Sequence, residues 1–172
     1  MPLAKCAHRP DYLTNRLLLM EGRIVAKSIF NAQHRQELQQ RLARLSPDSA
    51  PKWGKMNAPK MVVHLSDALK MALGDLQTKP RKTPLRFPIV KQLVIYAMPW
   101  PKGVPTAPEL LARVPDAWNG EVVTLSALIE RFAHETSRKD WPRHPAFGAL
   151  SRRTWGALAY RHCDHHFTQF GI

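Results

Sequence analysis

The sequence predicts an all-α fold, an antiparallel four-helix bundle with a long crossover between its second and third long helices. Three observations predict it. Proline removes a backbone donor and clashes with the preceding helical turn, and it is absent from four windows, 11–46, 60–79, 116–141 and 146–172. Within those windows apolar residues recur at spacings of three and four, the period of an amphipathic helix. No stretch alternates apolar and polar residues long enough to argue a sheet. Four amphipathic helices joined by one long connection pack most economically as a bundle.

The first helix is expected over about 32–45, where Phe30, Leu38, Leu42 and Leu45 share a helical spacing and Asn31 can cap the start. Ser46 to Pro51 reads as a loop. Asn57 is a good N-cap for the second helix, which carries Met61, Leu65, Ala68, Leu69, Ala72 and Leu73 and stops at Gly74. Residues 76–88 read as an exposed basic linker, Ile89 to Ala97 as a minor helix, and Met98 to Pro108 as extended backbone and turns. The third long helix, about 117–136, places Val122, Leu125, Leu128, Ile129 and Phe132 on one stripe with Glu121, Glu130, Arg131 and Glu135 outside it. The fourth begins after Ser151 and runs through Trp155, Leu158, Ala159, His162, His166 and Phe170 to Gly171.

A chain of 172 residues fits one domain that buries roughly two thirds of its unfolded surface without disulfides. We expect that domain over 29–172. Residues 1–28 are poorly patterned and read as an N-terminal extension, either an added arm or a start-site artefact with Met20 the real beginning. Hydrophobic content of 44% and charged content of 23% exclude a disordered chain and a disulfide-dense secreted scaffold. The two cysteines, Cys6 and Cys163, cannot build a four-thiolate zinc site and suit a reducing compartment. The apolar run Leu17 to Met20 is too short for a signal peptide or membrane span, so a cytoplasmic protein is expected. The net charge of +13 invites a nucleic-acid reading. Its largest excess, however, is in Lys79, Arg81, Lys82, Arg86, Lys91 and Lys102, which alternate with prolines instead of lining one helical face, so sequence-specific nucleic-acid binding is not expected.

Chemistry concentrates at the end of the chain. His162 and His166 lie four residues apart on the apolar stripe, so one helix face offers two imidazoles to the interior, the spacing by which a helix supplies two ligands to one metal. His64 shows the same anomaly on the second helix, sharing a face with Met61, Ala68 and Met71. A buried imidazole without a partner is costly, and a divalent cation would satisfy all three; a hydrogen-bonded core histidine is the plainer alternative for each. His165 reads as a rim or outer-shell residue, Asp164 as outward-facing, and Asp67 as either an orienting carboxylate for His64 or a solvated one. Cys163 reads as a packed thiol, while His144 and Trp155 can line a pocket entrance or simply structure the loop before the last helix. His8, His34 and His134 receive no role.

A resemblance rests on these residues. The segment His144-Pro145-Ala146-Phe147-Gly148 through Trp155-Gly156 to Tyr160-Arg161-His162-Cys163-Asp164-His165-His166-Phe167-Thr168-Gln169-Phe170-Gly171 resembles DinB-like proteins, and more narrowly a branch of that superfamily described only as a domain of unknown function. Ser46-Pro47-Asp48-Ser49, Trp53-Gly54-Lys55-Met56-Asn57, the helix with His64, Ala68 to Asp75 and Pro105 to Leu111 fit the same branch. The resemblance covers about 29–172. It implies a DinB-like four-helix bundle with a long crossover and a divalent metal, Zn²⁺ or Ni²⁺, held by His64, His162 and His166. It also implies a low-molecular-weight thiol as co-substrate, since relatives include bacillithiol and mycothiol transferases, a mycothiol-dependent maleylpyruvate isomerase and metal-dependent hydrolases. Cys163 departs from the aliphatic residue expected there, and Phe167 and Thr168 are uncharacteristic.

The expected function is therefore metal-dependent thiol transfer or hydrolysis on a small-molecule substrate. Arg81, Lys82, Arg86 and Lys91 could attract an anionic thiol, or form a solvated basic surface. A non-catalytic metal-binding or stress-response scaffold is the alternative, and nonspecific polyanion binding a third reading. A homodimer is a fair expectation for a small bundle.

Overall fold

The computed structural model describes residues 26–103 and 106–172. Among them the protein is all-helical, with five α-helices, short 3-10 turns and no strand. The expected extension 1–28, including His8, Cys6 and Met20, lies outside the described residues up to residue 25.

Helix α1 spans Ala32–Leu42, and the Asn31 side chain accepts from the His34 N–H as its cap. It stops before the expected residue 45. Arg44 and Leu45 bond the carbonyls three residues back, which tightens the last turn ahead of Pro47. Helix α2 spans Ala58–Leu73, starts on the Asn57 side chain and ends at Gly74, whose φ of 90° suits a residue without Cβ. Unlike the one-sided stripe read from its sequence, α2 is buried almost all round. The cause is its position: it packs on α4, on α5 and on the returning limb of the crossover.

The crossover holds a 3-10 turn at Pro84–Arg86, helix α3 at Pro88–Gln92, a π-type turn at Leu93–Ala97 and a 3-10 turn at Pro108–Leu110. The minor helix expected over Ile89 to Ala97 is thus α-helical only in its first half. Helix α4 spans Trp118–His134 and α5 spans Arg152–Gln169, the latter capped by Ser151, whose hydroxyl accepts from the Thr154 N–H. The four long helices share one core, with Leu38, Met61, Leu65, Leu125, Ile129, Phe132 and Phe167 fully buried in it. Helix α1 packs on α4 and α5, and the π-type turn on α5.

Two polar networks fix the frame. Arg41 of α1 reaches the Asp164 carboxylate at 2.5 Å, the Thr168 hydroxyl at 3.0 Å and the Ile172 carbonyl at 2.9 Å, tying down the end of α5. Asp164, expected to face outward, is half-buried because this cation comes from a helix remote in sequence. Arg113 of the crossover bonds Asp67 of α2 at 3.2 Å and Glu121 of α4 at 2.5 Å, and both carboxylates are buried. Asp67 is therefore neither solvated nor turned to His64. Among the described residues no helix is long and apolar enough to cross a membrane.

Candidate metal centre

The histidines selected from the sequence come together. One turn of α5 separates His162 from His166, and α2 presents His64 to both. The three rings form a nearly equilateral triangle, each pair of centroids 4.9 Å apart. One nitrogen from each lies within 4.8 Å of the others, so the set could hold a metal ion.

Hydrogen bonds decide which nitrogens face inward. His64 is 2% exposed, and its Nδ1 lies 3.2 Å from the Leu110 carbonyl, which can only accept. The proton therefore sits on Nδ1 and the Nε2 lone pair is left for the cluster. His166 is fixed by a longer chain. The Gln169 amide nitrogen donates to the Trp53 carbonyl at 2.7 Å, so Oε1 faces His166 and accepts from its Nδ1 at 2.8 Å. Outer hydrogen bonds of this kind commonly hold metal-ligating histidines in one tautomer. The His64 and His162 Nε2 atoms approach to 3.0 Å, and with the His64 tautomer set this way a proton or a cation must lie between them.

The electrostatics agree with ligation. Burial pushes the His64 imidazole down from its ordinary range; it pushes His162 well below, helped by the neighbouring His166 and His64. Burial and the adjacent His64 bring His166 to about 3. All three are neutral at pH 7, the form that binds metals.

The triangle forms part of the wall of a cavity of about 790 Å³ between α2, α5 and the crossover. Its other walls are mostly apolar, including Leu65, Leu69, Val94, Met98, Phe147 and Leu158. His165 lies at the rim, half-buried between Trp53 and Trp100, in the expected position. Cys163 is buried, and desolvation pushes its thiol up to about 12, so it is an inert packed thiol. His144 and Trp155 line the cavity, their rings 5.4 Å apart, and the His144–Gly148 bridge also makes them part of the loop before α5. His34 accepts from the Ser28 N–H, and His134 ends α4 in solvent.

Gln169 and the Leu110 carbonyl carried no role in the sequence reading. Gln169 had a usable signal, since it is a polar residue one turn after His166 on the same face. A carbonyl has none. Gly54 belongs with Gln169: its φ is +79°, and a Cβ there would meet the Gln169 amide nitrogen at 2.8 Å. Gln169→Leu keeps the volume and deletes the acceptor. It should weaken Zn²⁺ binding about 10–100-fold, as loss of an outer partner does, in competition titration with a chromogenic chelator.

His144 supplies a pH prediction. Its Nδ1 accepts from the Ala146 and Phe147 N–H groups, and burial brings its pKa to about 4. A folded pKa below the unfolded value of about 6.5 contributes stability that is complete above about 6.5 and is lost as pH falls toward about 4. At about 1.4 kcal/mol per unit, the contribution is about 3 kcal/mol. In urea unfolding of the metal-free protein, His144→Asn should show a shallower loss of stability than wild type across this window; parallel pH curves would contradict the assignment.

Comparison with curated proteins and with solved structures gives no match. A family model does match, over residues 30–171, which include all five helices and the three clustered histidines. The chain therefore belongs to the family described as "Protein of unknown function (DUF1569)".

Proposed function

We propose that this protein is a metal-dependent enzyme of DinB-like type, in which His64, His162 and His166 hold Zn²⁺ or Ni²⁺ and a small-molecule substrate undergoes thiol transfer or hydrolysis. The observation that carries the reading is the three-nitrogen triangle, with two tautomers fixed from behind, in the wall of a cavity large enough for a small molecule. Three protein ligands with remaining positions open to substrate is the arrangement of catalytic rather than structural zinc. A divalent ion bound there supplies Lewis acidity and lowers the pKa of an incoming water or thiol. The chain's own residues do the rest. Apolar walls surround the bound substrate, and His165 at the rim of the cavity is the imidazole placed to accept the proton that the nucleophile gives up.

The same reading takes the helices as a DinB-like antiparallel bundle forming one domain over 29–172, in a cytoplasmic protein able to form a homodimer, with a low-molecular-weight thiol as co-substrate. The second reading is a non-catalytic metal-binding or stress-response scaffold. Its support is that neither a carboxylate nor a reactive thiol lines the cavity among the described residues.

The test is to load the protein with Zn²⁺ or Ni²⁺ and screen thiol addition to electrophiles alongside ester and amide hydrolysis. Turnover abolished both by chelator and by His162→Ala is expected. Metal-loaded protein silent across both panels would favour the scaffold.

A further inference from the structure

The cavity extends well beyond the histidine triangle, and its far end has a chemistry of its own. Trp155 and His166 both line it and lie eleven residues apart on α5, about 16 Å at 1.5 Å per residue. Between them the walls are Leu158 and Ala159 from α5 and Leu65, Ala68, Leu69 and Ala72 from α2. No acidic residue lines the cavity among the described residues; its cations are Lys55, beside Trp53 at the histidine end, and Arg81.

Arg81 belongs to the opposite end. Its N–H donates to the Pro145 carbonyl at 2.9 Å, and the Thr83 hydroxyl donates to the Ala146 carbonyl at 2.9 Å, which pins this stretch of the crossover beside His144 and Trp155. The Arg81 guanidinium makes no hydrogen bond or ion pair among the described residues, as is true of Arg44, Arg143 and Arg153, but of these four Arg81 alone lines the cavity; its charge helps lower the pKa of the Glu109 carboxyl, which does not line it. A fixed backbone, a free guanidinium and an apolar passage ending at three imidazoles describe a recognition surface with polarity.

We propose that the cavity takes an elongated apolar molecule with one anionic group, bound by Arg81 at the far end so that its other end lies against His64, His162 and His166. This rests on the metal-site reading only for the identity of the reacting end; the binding itself needs no metal. Guanidinium suits a carboxylate because its planar fork donates two parallel hydrogen bonds. The apolar walls supply affinity and the cation supplies orientation, the usual division in small-molecule sites.

Dodecanoate, whose extended chain roughly matches the passage of about 16 Å, is the probe, with dodecanol and dodecyltrimethylammonium as neutral and cationic counterparts. Binding to chelator-treated protein is followed by calorimetry and by the fluorescence of Trp53, Trp100 and Trp155, which line the cavity. Dodecanoate should bind with a stoichiometry near one and at least about tenfold more tightly than dodecanol, the scale of one charge-assisted contact. Arg81→Ala should bring dodecanoate to the level of dodecanol and leave dodecanol unchanged, while Lys55→Ala should alter neither. Because Arg81 is exposed, its loss does not threaten the fold. Equal affinity for the three head groups, unchanged dodecanoate binding in Arg81→Ala, or no binding of any probe would each overturn the proposal. Metal content is measured on the same preparations: a metal-loaded protein that binds no amphiphile refutes this inference alone, and amphiphile binding without metal uptake refutes the metal site alone.

Discussion

His162→Ala is expected to abolish tight Zn²⁺ binding while leaving the metal-free fold intact. His162 contributes one corner of a triangle whose centroids are 4.9 Å apart, and no other described side chain completes a three-ligand cluster. His165, the adjacent histidine, faces Trp53 and Trp100 and cannot replace it. Losing an outer hydrogen-bond partner costs about 10–100-fold in affinity, so losing a ligand should cost more than about 100-fold. The fold should survive because the side chain adjoins a cavity and is not wedged in the packed core. Metal-free unfolding should change by about 1 kcal/mol, the scale of the one hydrogen bond to His64 that is lost. Zinc at a thousand times the wild-type dissociation constant should stabilise wild type by about 4 kcal/mol and His162→Ala, bound more than about 100-fold more weakly, by less than about 1.5 kcal/mol. His165→Ala is the control and should retain the zinc-dependent stabilisation. Full wild-type zinc stabilisation in His162→Ala would remove His162 from the site.

The largest loss of stability is expected at Arg113. Asp67 and Glu121 are each 4% exposed, and Arg113 bonds both. Removing one partner of a buried ion pair costs about 3–5 kcal/mol because the remaining charge is left without compensation. Arg113→Ala should fall near the lower end, about 3 kcal/mol, since the Arg113 side chain keeps 34% of its surface in water, Lys70 Nζ still lies 3.7 Å from Asp67, and Glu121 still accepts from the Asp116 N–H. Adding Glu121→Gln removes one stranded charge and should recover part of the loss in urea unfolding. The same substitution should weaken zinc binding. Leu110, whose carbonyl holds the His64 tautomer, lies three residues before Arg113 on the limb that this cation anchors to α2 and α4. Unchanged zinc affinity in a folded Arg113→Ala protein would show that the carbonyl is held independently.

The parts of this molecule legible in the sequence are those in which cause and effect share one helix. Periodicity located the four long helices, and Asn31, Asn57 and Ser151 marked three of their starts because a cap acts within its own turn. The same local logic selected His64, His162 and His166, since a polar ring on an apolar stripe must find a partner inside. Interactions that join remote segments left no such trace. Asp67 meets Arg113 forty-six positions later, and Asp164 meets Arg41 from the first helix, so both carboxylates looked solvated or free to serve another role. The crossover was similarly opaque. Its prolines announced irregular backbone, but a carbonyl accepting from His64 depends on where a loop is pinned and not on which residue carries it.

The most direct test of the account is the metal content of protein purified without a histidine tag or chelator, determined by elemental analysis for wild type, His64→Ala and His166→Ala. Wild type should carry close to one equivalent of zinc or nickel and neither variant any, because ligands from α2 and α5 share the ion. Wild-type protein that holds no metal even after addition of Zn²⁺ or Ni²⁺ at neutral pH would contradict the shared site.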